Sequence, residues 1–311
     1  MKVNFRMTED SCATISNQPS AHRIGNISES KVLLAFTCDL ELSPEVQKHT
    51  EFEDRRLTRG YSILSDILER NDTMCTFFTQ GKLCETKPDI VEKSHEMGHE
   101  IGAHGYSHIP LGSFWPLSLL HSPKRINVTK LEISRSRDAL RRLLGKNPIS
   151  FRAPYLRIDK ETLRIIDEAG FLFDSSIYNP AVNRTSIPYH PSRENPFFEG
   201  DIGLLEVPIT VSVTPKRKLF YHRHPAIFEL KQVELEREIT KCIEVNRKLG
   251  NDIVLFVPMV HPYEFCSDAF SSKVSFFLKL LKKLDATSLL FSELGQILKL
   301  PVPKTLRNLS L

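Results

Sequence analysis

The feature that most constrains the fold of this chain is an alternation of short apolar runs with amphipathic helical stretches. Buried strands are predicted at Val32–Cys38, Met74–Thr79, Glu100–Ala103, Ile149–Ala153, Phe171–Ser175, Leu204–Ile209, Ile253–Val260 and Ser288–Phe291. Helices are predicted at Arg55–Arg70, Pro88–Met97, Asn127–Leu144, Asp159–Ala169, Ala226–Leu249 and Asp268–Leu284. Strands that alternate with helices pair in parallel through right-handed crossovers. With about seven or eight such units, the pattern favours a closed barrel over an open sheet.

Composition narrows the class of protein further. The 311 residues are 41% hydrophobic and 26% charged, which is ordinary for a globular protein and excludes a disordered chain or a fibrous rod. The formal net charge of +4 is too small to predict a nucleic-acid partner. We expect a barrel over residues 31–300, preceded by a loose extension over 1–30 and followed by a tail over 301–311.

The cysteines and the N-terminal residues bear on the cellular compartment. Six cysteines are scattered along the chain without a C-x-x-C pair, which predicts reduced thiols rather than a disulfide framework. Residues 1–30 hold no basic stretch followed by an apolar segment, so no secretory signal is expected. The interpretation is a cytoplasmic protein, with peripheral contact at the inner face of the membrane as a second option.

In a barrel of this kind the chemistry lies at the carboxyl ends of the strands, so unusual polar residues should cluster there. Asp39 and Glu41 end the first predicted strand and, two residues apart, point to the same side of an extended chain. Two such carboxylates repel each other unless a cation or a base lies between them. The alternative is a loop that simply begins with acidic residues.

A histidine pair follows the third predicted strand. His104 and His108 are four residues apart, so they lie on one face of a helical turn and can converge on a metal. His95 and His99 have the same spacing but precede the strand, at the other rim, and are interpreted as solvated or capping residues. Two histidines and one carboxylate form a common catalytic zinc site, which leaves a position open for water.

Three further polar residues mark later strands. Arg152 lies inside the fourth strand, where a buried guanidinium needs a carboxylate partner, and Asp39 is the candidate. Asp174 ends the fifth strand, where a plain turn is an equal alternative. His261 follows the strand that begins at Ile253.

Taken together, these motifs resemble the polysaccharide deacetylase family, the NodB-homology carbohydrate esterases. The motifs that carry the resemblance appear in family order: Thr37-Cys38-Asp39-Leu40-Glu41, His104-Gly105-Tyr106-Ser107-His108, Arg152-Ala153-Pro154-Tyr155, Asp174-Ser175-Ser176 and His261. The resemblance implies a distorted (β/α) barrel with about seven parallel strands that removes N-acetyl or similar groups from amino sugars.

The resemblance also implies roles for individual residues. Asp39 matches the catalytic base, Arg152 the residue that holds it, His261 the general acid and Asp174 the acid that orients that histidine. His104 and His108 match the metal ligands. Many members have a second aspartate directly after the first, where this chain has Leu40. The sequence is similar to the branch with an Asp-x-Glu first motif, in which Glu41 takes the metal. We expect zinc as the metal, and a backbone N–H near Tyr155 as a contact for the oxyanion.

The substrate is constrained less tightly. The apolar stretch Phe114–Leu120 holds the single Trp of the chain; a loop packed on the barrel is the favoured interpretation, and a lid or lipid contact is the alternative. The expected partner is an N-acylated amino sugar, and because no export signal is expected, a lipid-linked or nucleotide-linked form is an option. The segment Tyr178–Gly200, with His222 and His224, is expected to cover the active site, without a metal role for either histidine.

Other functions remain open from the sequence alone. The same barrel could serve a deformylase or an amidohydrolase of the allantoin type. A carbohydrate-binding protein without catalysis is less favoured because the whole motif set is present. A structural scaffold with acids placed by chance is weaker still, because five motifs occur in order.

Overall fold

The computed structural model describes residues 31–42, 51–112, 123–178, 187–210 and 227–298. Its strands are β1 Lys31–Leu34, β2 Phe36–Leu40, β3 Cys75–Thr79, β4 Glu100–Ala103, β5 Ser150–Phe151, β6 Phe173–Asp174, β7 Leu205–Glu206, β8 Ile253–Phe256, β9 Met259–Val260 and β10 Thr287–Ser288. Its α-helices are α1 Glu51–Arg70, α2 Leu83–Thr86, α3 Pro88–Glu96, α4 Pro123–Leu144, α5 Lys160–Glu168, α6 Gln232–Lys248, α7 Asp268–Lys283 and α8 Phe291–Ile297.

The strands form a curled parallel sheet. Seven strands lie in the order β7-β6-β5-β4-β3-β2-β9, and three more in the order β10-β1-β8. β1 leads into β2 and β8 into β9, so the two sheets are continuous along these two paths. The N–H of Thr210, beyond β7, donates to the carbonyl of Val257, between β8 and β9, over 2.9 Å. This bond links the two sides of the curled sheet, and the distorted (β/α) barrel predicted from the sequence is confirmed.

Side-chain alternation along β1 and β2 separates the barrel interior from the helical layer. Leu33 and Ala35 lie in an inner apolar cluster, and Thr37, Asp39 and Glu41 continue the same face toward the carboxyl end. Val32, Leu34, Phe36, Cys38 and Leu40, which alternate with them, lie in the cluster that packs against the helices. Apolar side chains therefore fill the barrel interior toward the amino ends of the strands, and the polar residues meet at the carboxyl ends.

Two predicted strands are interrupted. The run Val32–Cys38 is divided between β1 and β2 and extends to Leu40, and the run Ile253–Val260 is divided between β8 and β9. Pro258 explains the second interruption, because it has no N–H to donate to the ladder, while its carbonyl accepts from the N–H of Thr37 over 3.1 Å.

The prediction of a last strand at Ser288–Phe291 was wrong in part. The strand β10 ends at Ser288, and Phe291 begins the short helix α8. Phe291 and Leu294 are fully buried in the inner cluster, where the Phe291 ring packs edge-on against Phe78 with 5.5 Å between centroids. The helix α8 therefore helps to fill the barrel interior from the end opposite the polar residues.

Most predicted helices are found with boundaries shifted by a few residues. The cap at Asp159 is confirmed, since its carboxylate accepts from the N–H of Thr162 over 2.9 Å. Ala226–Leu249 was predicted as one helix, but α6 begins only at Gln232, after a short turn at Ile227–Glu229. Within the described ranges, no helix combines the length and the apolar character needed to cross a bilayer.

Candidate active site

Glu41, His104 and His108 form a compact group at the carboxyl ends of β2 and β4. One ligand atom from each lies within 4.8 Å of the others, and all three side chains are buried. The Nε2 of His104 lies 3.3 Å from Glu41 Oε2, and the Nε2 of His108 contacts the same oxygen. Burial by itself raises the pKa of Glu41, but the two imidazoles outweigh burial and hold it well below its usual range. Glu41 is therefore an ionised carboxylate between two histidines.

The donor atoms of this group fit a divalent metal. The Nδ1 of His104 lies 2.8 Å from the carbonyl of Arg152, which can only accept, so Nδ1 carries the hydrogen. In the neutral ring this leaves the lone pair of Nε2 directed at Glu41, as a metal ligand requires. The Oε2 atom of Glu41 is buried and accepts no hydrogen bond within the described part of the chain. The Oε2 atom of Glu41 and the Nε2 atoms of the two histidines thus converge, and within the described residues no hydrogen-bond donor occupies that oxygen.

Asp39 and Arg152 form a buried ion pair beside this group. The Nη1 of Arg152 donates to Asp39 Oδ1 over 2.6 Å, as the sequence predicted, and also to the Thr37 hydroxyl. Its Nε and Nη2 donate to the carbonyl and the hydroxyl of Ser175, and its guanidinium lies 4.2 Å from the centre of the Phe78 ring. These contacts satisfy a fully buried guanidinium and fix its direction.

The charge of Arg152 also sets the ionisation of Asp39. Burial by itself raises the pKa of the Asp39 carboxyl, but Arg152 and the imidazoles of His104 and His261 outweigh it, so the net shift is downward. The second oxygen, Oδ2, lies 3.9 Å from the Nε2 of His104 and 3.8 Å from the Nε2 of His261. Asp39 is therefore an ionised group with one oxygen held and the other facing the two imidazoles.

His261, at the end of β9, lies on the other side of Asp39 and Glu41. Its Nε2 is 3.8 Å from Asp39 Oδ2 and 3.6 Å from Glu41 Oε1. Burial by itself lowers the pKa of the imidazole, but the hydrogen bond to Glu264 and the charges of Glu264, Glu41 and Asp39 raise it to about 9. A protonated imidazole therefore faces the two carboxylates.

The carboxylate that orients His261 is Glu264, not Asp174. Glu264 Oε2 lies 3.2 Å from the Nδ1 of His261 and accepts from the backbone N–H of the same residue over 2.7 Å. The spacing of three residues is that of a capping box, a signal that was present in the sequence as His261-Pro262-Tyr263-Glu264 but was not used to predict the partner of His261. The pairing of Asp174 with His261 that the family resemblance implied is corrected here.

Asp174 lies on the outer face of the sheet. Phe173, before it, belongs to the inner cluster, and Ser175, after it, binds Arg152, so alternation turns Asp174 outward. It is opposite Glu206 on the neighbouring strand and accepts from the Ser176 hydroxyl over 2.7 Å. Burial is the main cause that raises the pKa of Glu206 well above its usual range, and the charge of Asp174 adds to it. The two buried carboxyls are therefore a pair in which Glu206 holds a proton.

Tyr155 lies next to the histidine pair. Its ring packs on the ring of His108 with 4.6 Å between centroids. Tyr155 and His108 both have a positive φ, of 59° and 58°, which is a strained conformation for residues with a side chain. Strain at a candidate metal ligand and at the residue packed on it indicates that the surrounding contacts fix this part of the site.

One member of the other histidine pair, His99, has a structural role rather than a solvated one. His99 is buried, its Nδ1 accepts from the N–H of Cys75 over 3.3 Å, and its ring packs against Phe77. Cys75 begins β3, so His99 lies at the end of the barrel opposite His104. Of the two interpretations, solvated or capping, the solvated one is wrong for His99, whereas its separation from the candidate metal ligands is confirmed.

Several predicted features lie outside the described residues: the extension 1–30, the segment Phe114–Leu120, residues 179–186 of the covering segment, His222 and His224, and the tail 301–311. The described end of the covering segment pairs with β7, since Tyr189 and Glu206 exchange backbone hydrogen bonds. Cys38 belongs to the outer cluster and is fully buried, and burial holds the pKa of its thiol well above the usual range. It faces away from the candidate metal site.

Part of this chain is similar to part of several known proteins. Residues 50–173 match the family model for polysaccharide deacetylase, a range that includes His104, His108 and Arg152 but neither Asp39 nor His261. A peptidoglycan deacetylase-like protein of Gibberella zeae is 31% identical over 109 residues, which cover 33% of this chain and 27% of that protein. A chitin deacetylase of Colletotrichum lindemuthianum is 34% identical over 101 residues, which cover 31% of this chain and 37% of that protein.

Solved structures show the same fold over nearly the whole chain. A Mycobacterium smegmatis protein assigned to the polysaccharide deacetylases superposes with a TM-score of 0.62 and 20% identity, covering 90% of this chain and 94% of that one. The Puue allantoinase superposes with a TM-score of 0.64 and 16% identity, covering 93% and 96%. The resemblance to the polysaccharide deacetylase family that the motifs indicated is confirmed.

Proposed function

We propose that this protein is a metal-dependent hydrolase that removes the N-acetyl group from an amino sugar within a glycan or a glycan precursor. The observation that carries the proposal is the meeting of Glu41, His104 and His108 in one buried group, with Asp39 and His261 on its borders. The relatives named as a chitin deacetylase and a peptidoglycan deacetylase-like protein support the substrate class.

Glu41, His104 and His108 would hold the metal, most simply zinc given two imidazoles and a carboxylate. When bound there, such an ion supplies Lewis acidity and lowers the pKa of a coordinated water toward about 7.

The protein's own residues would handle the protons. Asp39 takes a proton from the attacking water on Oδ2, since Oδ1 is held by Arg152. His261 donates its Nε2 proton to the sugar nitrogen as the C–N bond breaks, because an amide anion is too basic to leave unprotonated. Glu264 keeps the His261 ring oriented and protonated for that transfer.

The turn after β5 would complete the site. The backbone N–H of Tyr155 is proposed to donate to the oxyanion that forms on the acyl carbon, which is a common source of rate enhancement in acyl transfer. The packing of the Tyr155 ring on His108 supports this placement, because it ties the turn to the metal-binding residues.

The direct test is acetate release by purified protein. Metal-stripped protein reloaded with Zn²⁺ should release acetate from chitin oligosaccharides or from peptidoglycan fragments, and the stripped form should not. N-formyl glucosamine and allantoin serve as the discriminating substrates. A preference for either of these would favour the deformylase or the allantoin-type alternative, and binding of sugar without turnover would favour an inactive carbohydrate-binding protein.

The proposal extends to the carrier to which the amino sugar is linked and to the compartment in which the protein acts. We propose that a lipid-linked or nucleotide-linked N-acetyl amino sugar in the cytoplasm is the natural form. Comparing turnover of nucleotide-linked N-acetylglucosamine with that of free chitin oligosaccharides tests the nucleotide-linked form. Vesicle co-sedimentation of the full chain, with and without Phe114–Leu120, tests membrane contact, and equal partitioning of both forms would contradict it.

A further inference from the structure

Glu132, on the buried face of α4, reaches across to the loop that joins the two metal-site histidines. We call residues 104–108 the histidine loop. Glu132 Oε2 accepts from the backbone N–H of Tyr106 over 3.1 Å and from that of Ser107 over 2.7 Å. We propose that Glu132 is a positioning residue that sets the geometry of the histidine loop and thereby the metal affinity of the site, an inference that rests on the metal centre proposed above.

The histidine loop cannot hold its shape through regular secondary structure. Gly105 and His108 have φ angles of +65° and +58°, so the backbone leaves β4 in a left-handed bend. Its carbonyls at Gly105 and Tyr106 accept from the N–H groups of Gly81 and Lys82. The successive N–H groups of Tyr106 and Ser107 both donate to Glu132 Oε2, and two neighbouring backbone N–H groups suit an anionic oxygen.

The position of Glu132 in α4 is unfavourable on packing grounds alone. Its neighbours on the same helix face, Thr129, Ile133, Ser136 and Leu140, are buried, and Glu132 is itself only 5% exposed. Burying an acid is costly unless its oxygens are paired. No cation forms an ion pair with Glu132 in the part of the chain that the structure describes. Among the described residues, the two backbone N–H groups of the loop are therefore the contacts that compensate its burial.

The two histidines differ in how they are held. His104 is oriented by the hydrogen bond from its Nδ1 to the carbonyl of Arg152. For His108, the ring contacts within the described residues are Glu41, His104 and Tyr155, and no such orienting hydrogen bond to Nδ1 is found there. The direction of the His108 ring therefore depends more on the backbone of the loop, and that backbone is held by Glu132.

The test is metal binding by purified full-length protein, measured by titrating the metal-free form with Co²⁺ and Zn²⁺. Glu132→Ala should weaken affinity about 10–100-fold, the usual effect of losing a residue that supports metal ligands. It should also alter the visible spectrum of bound Co²⁺. Glu132→Gln should lose much less, because its amide oxygen can still accept from both N–H groups. Glu100→Ala is the matched control, because Glu100 accepts from the Ser150 hydroxyl and the Ser292 N–H at the far end of the barrel.

The outcomes separate this inference from the proposed function. Metal affinity in Glu132→Ala equal to wild type, or lowered no more than in Glu100→Ala at matched loss of thermal stability, would overturn the positioning role while leaving the metal centre intact. If wild-type protein binds neither metal, the metal centre itself fails and the role of Glu132 fails with it. If Glu132→Ala does not fold, Glu132→Asp replaces it, because a side chain one methylene shorter keeps the charge but should reach the loop poorly. Unchanged affinity in Glu132→Asp would overturn the role.

Discussion

At the scale of single residues, the site depends on which oxygen or nitrogen of each side chain is already engaged. Arg152 holds one oxygen of Asp39, the Arg152 carbonyl holds one nitrogen of His104, and Glu264 holds one nitrogen of His261. The second oxygen of Asp39 and the second ring nitrogen of each histidine face one another in the candidate active site. The chemistry proposed above follows from these engagements, and substitutions at the single residues test it.

Asp39→Asn should remove most activity and leave metal binding nearly unchanged. The amide keeps the shape of the side chain but cannot take a proton from water, and Asp39 lies outside the group formed by Glu41, His104 and His108. The comparison is Glu41→Gln, which should lose metal and activity together. Turnover and metal content of both variants are the measurements, and near wild-type turnover in Asp39→Asn would show that another group is the base.

Glu264→Gln should lower kcat, by up to about 10²–10⁴ if acid catalysis fails altogether. Because Glu264 raises the pKa of His261, its loss should lower that pKa, so the acid form disappears at lower pH and the alkaline limb of kcat moves downward in pH. Asp174→Asn is the control and should leave the alkaline limb in place, since Asp174 faces the other side of the sheet. A shift in Asp174→Asn alone would restore the pairing that the family resemblance implied.

At the scale of elements, α1 carries a glycine in its interior because the turn after His261 passes directly over it. A Cβ on Gly60 would lie 1.8 Å from the carbonyl oxygen of Pro262, which is backbone and cannot move alone. The turn Pro262–Cys266 also places Tyr263 on the ring of His261, with Arg56 of α1 over the Tyr263 ring. The helix α1 therefore helps to position the proposed acid.

Gly60→Ala should lower stability and kcat together. An alanine in a helix interior normally stabilises by about 1 kcal/mol relative to glycine. Here overpacking should cost about 1–3 kcal/mol and displace His261. Gly295→Ala in α8 is the matched control, because its Cβ would meet only the Phe173 ring at 3.9 Å. Thermal unfolding and kcat of both variants decide, and a stabilised, fully active Gly60→Ala would contradict the positioning role of α1.

Most helices and strands near the site could be predicted from the sequence. For the short strands, the side of the sheet to which each side chain points could not. The alternation over β1 and β2 correctly put Asp39 and Glu41 on one side, because a long run of paired apolar positions determines which face is buried. β6 has only two residues, Phe173 and Asp174, and a shift of one position would reverse both faces. The neighbouring strand determines which way the side chains of β6 point. Asp174 is opposite Phe151 on β5, whose side chain points outward, so Asp174 points outward too.

At the scale of the whole molecule, the buried pair of Asp174 and Glu206 couples stability to pH. The folded state holds a proton on Glu206, whose pKa is raised well above its usual range, while the unfolded chain releases it above about pH 4.5. The folded state therefore binds more protons than the unfolded state in this window, and stability falls as the pH rises.

Glu206→Gln should remove the part of that dependence that comes from Glu206, because the amide needs no proton. The variant and the wild type should have similar free energies of unfolding near pH 4.5, and the variant should gain up to about 1.4 kcal/mol per pH unit above it. Glu199→Gln, on an exposed carboxylate of the neighbouring segment, should follow the wild type. The measurement is denaturant unfolding at several pH values. If the free energy of unfolding depends on pH in the same way for Glu206→Gln and wild type, the proton assigned to Glu206 is contradicted.

The central claim is that residues distant in sequence meet around one divalent ion at the carboxyl end of the barrel. A crystal structure of the zinc-loaded protein, with an anomalous difference map at the zinc absorption edge, tests it most directly. We predict one strong peak bound by Glu41, His104 and His108, with Asp39 and His261 beside it. A peak at His95 and His99, or an ion bound without Glu41, would contradict the account.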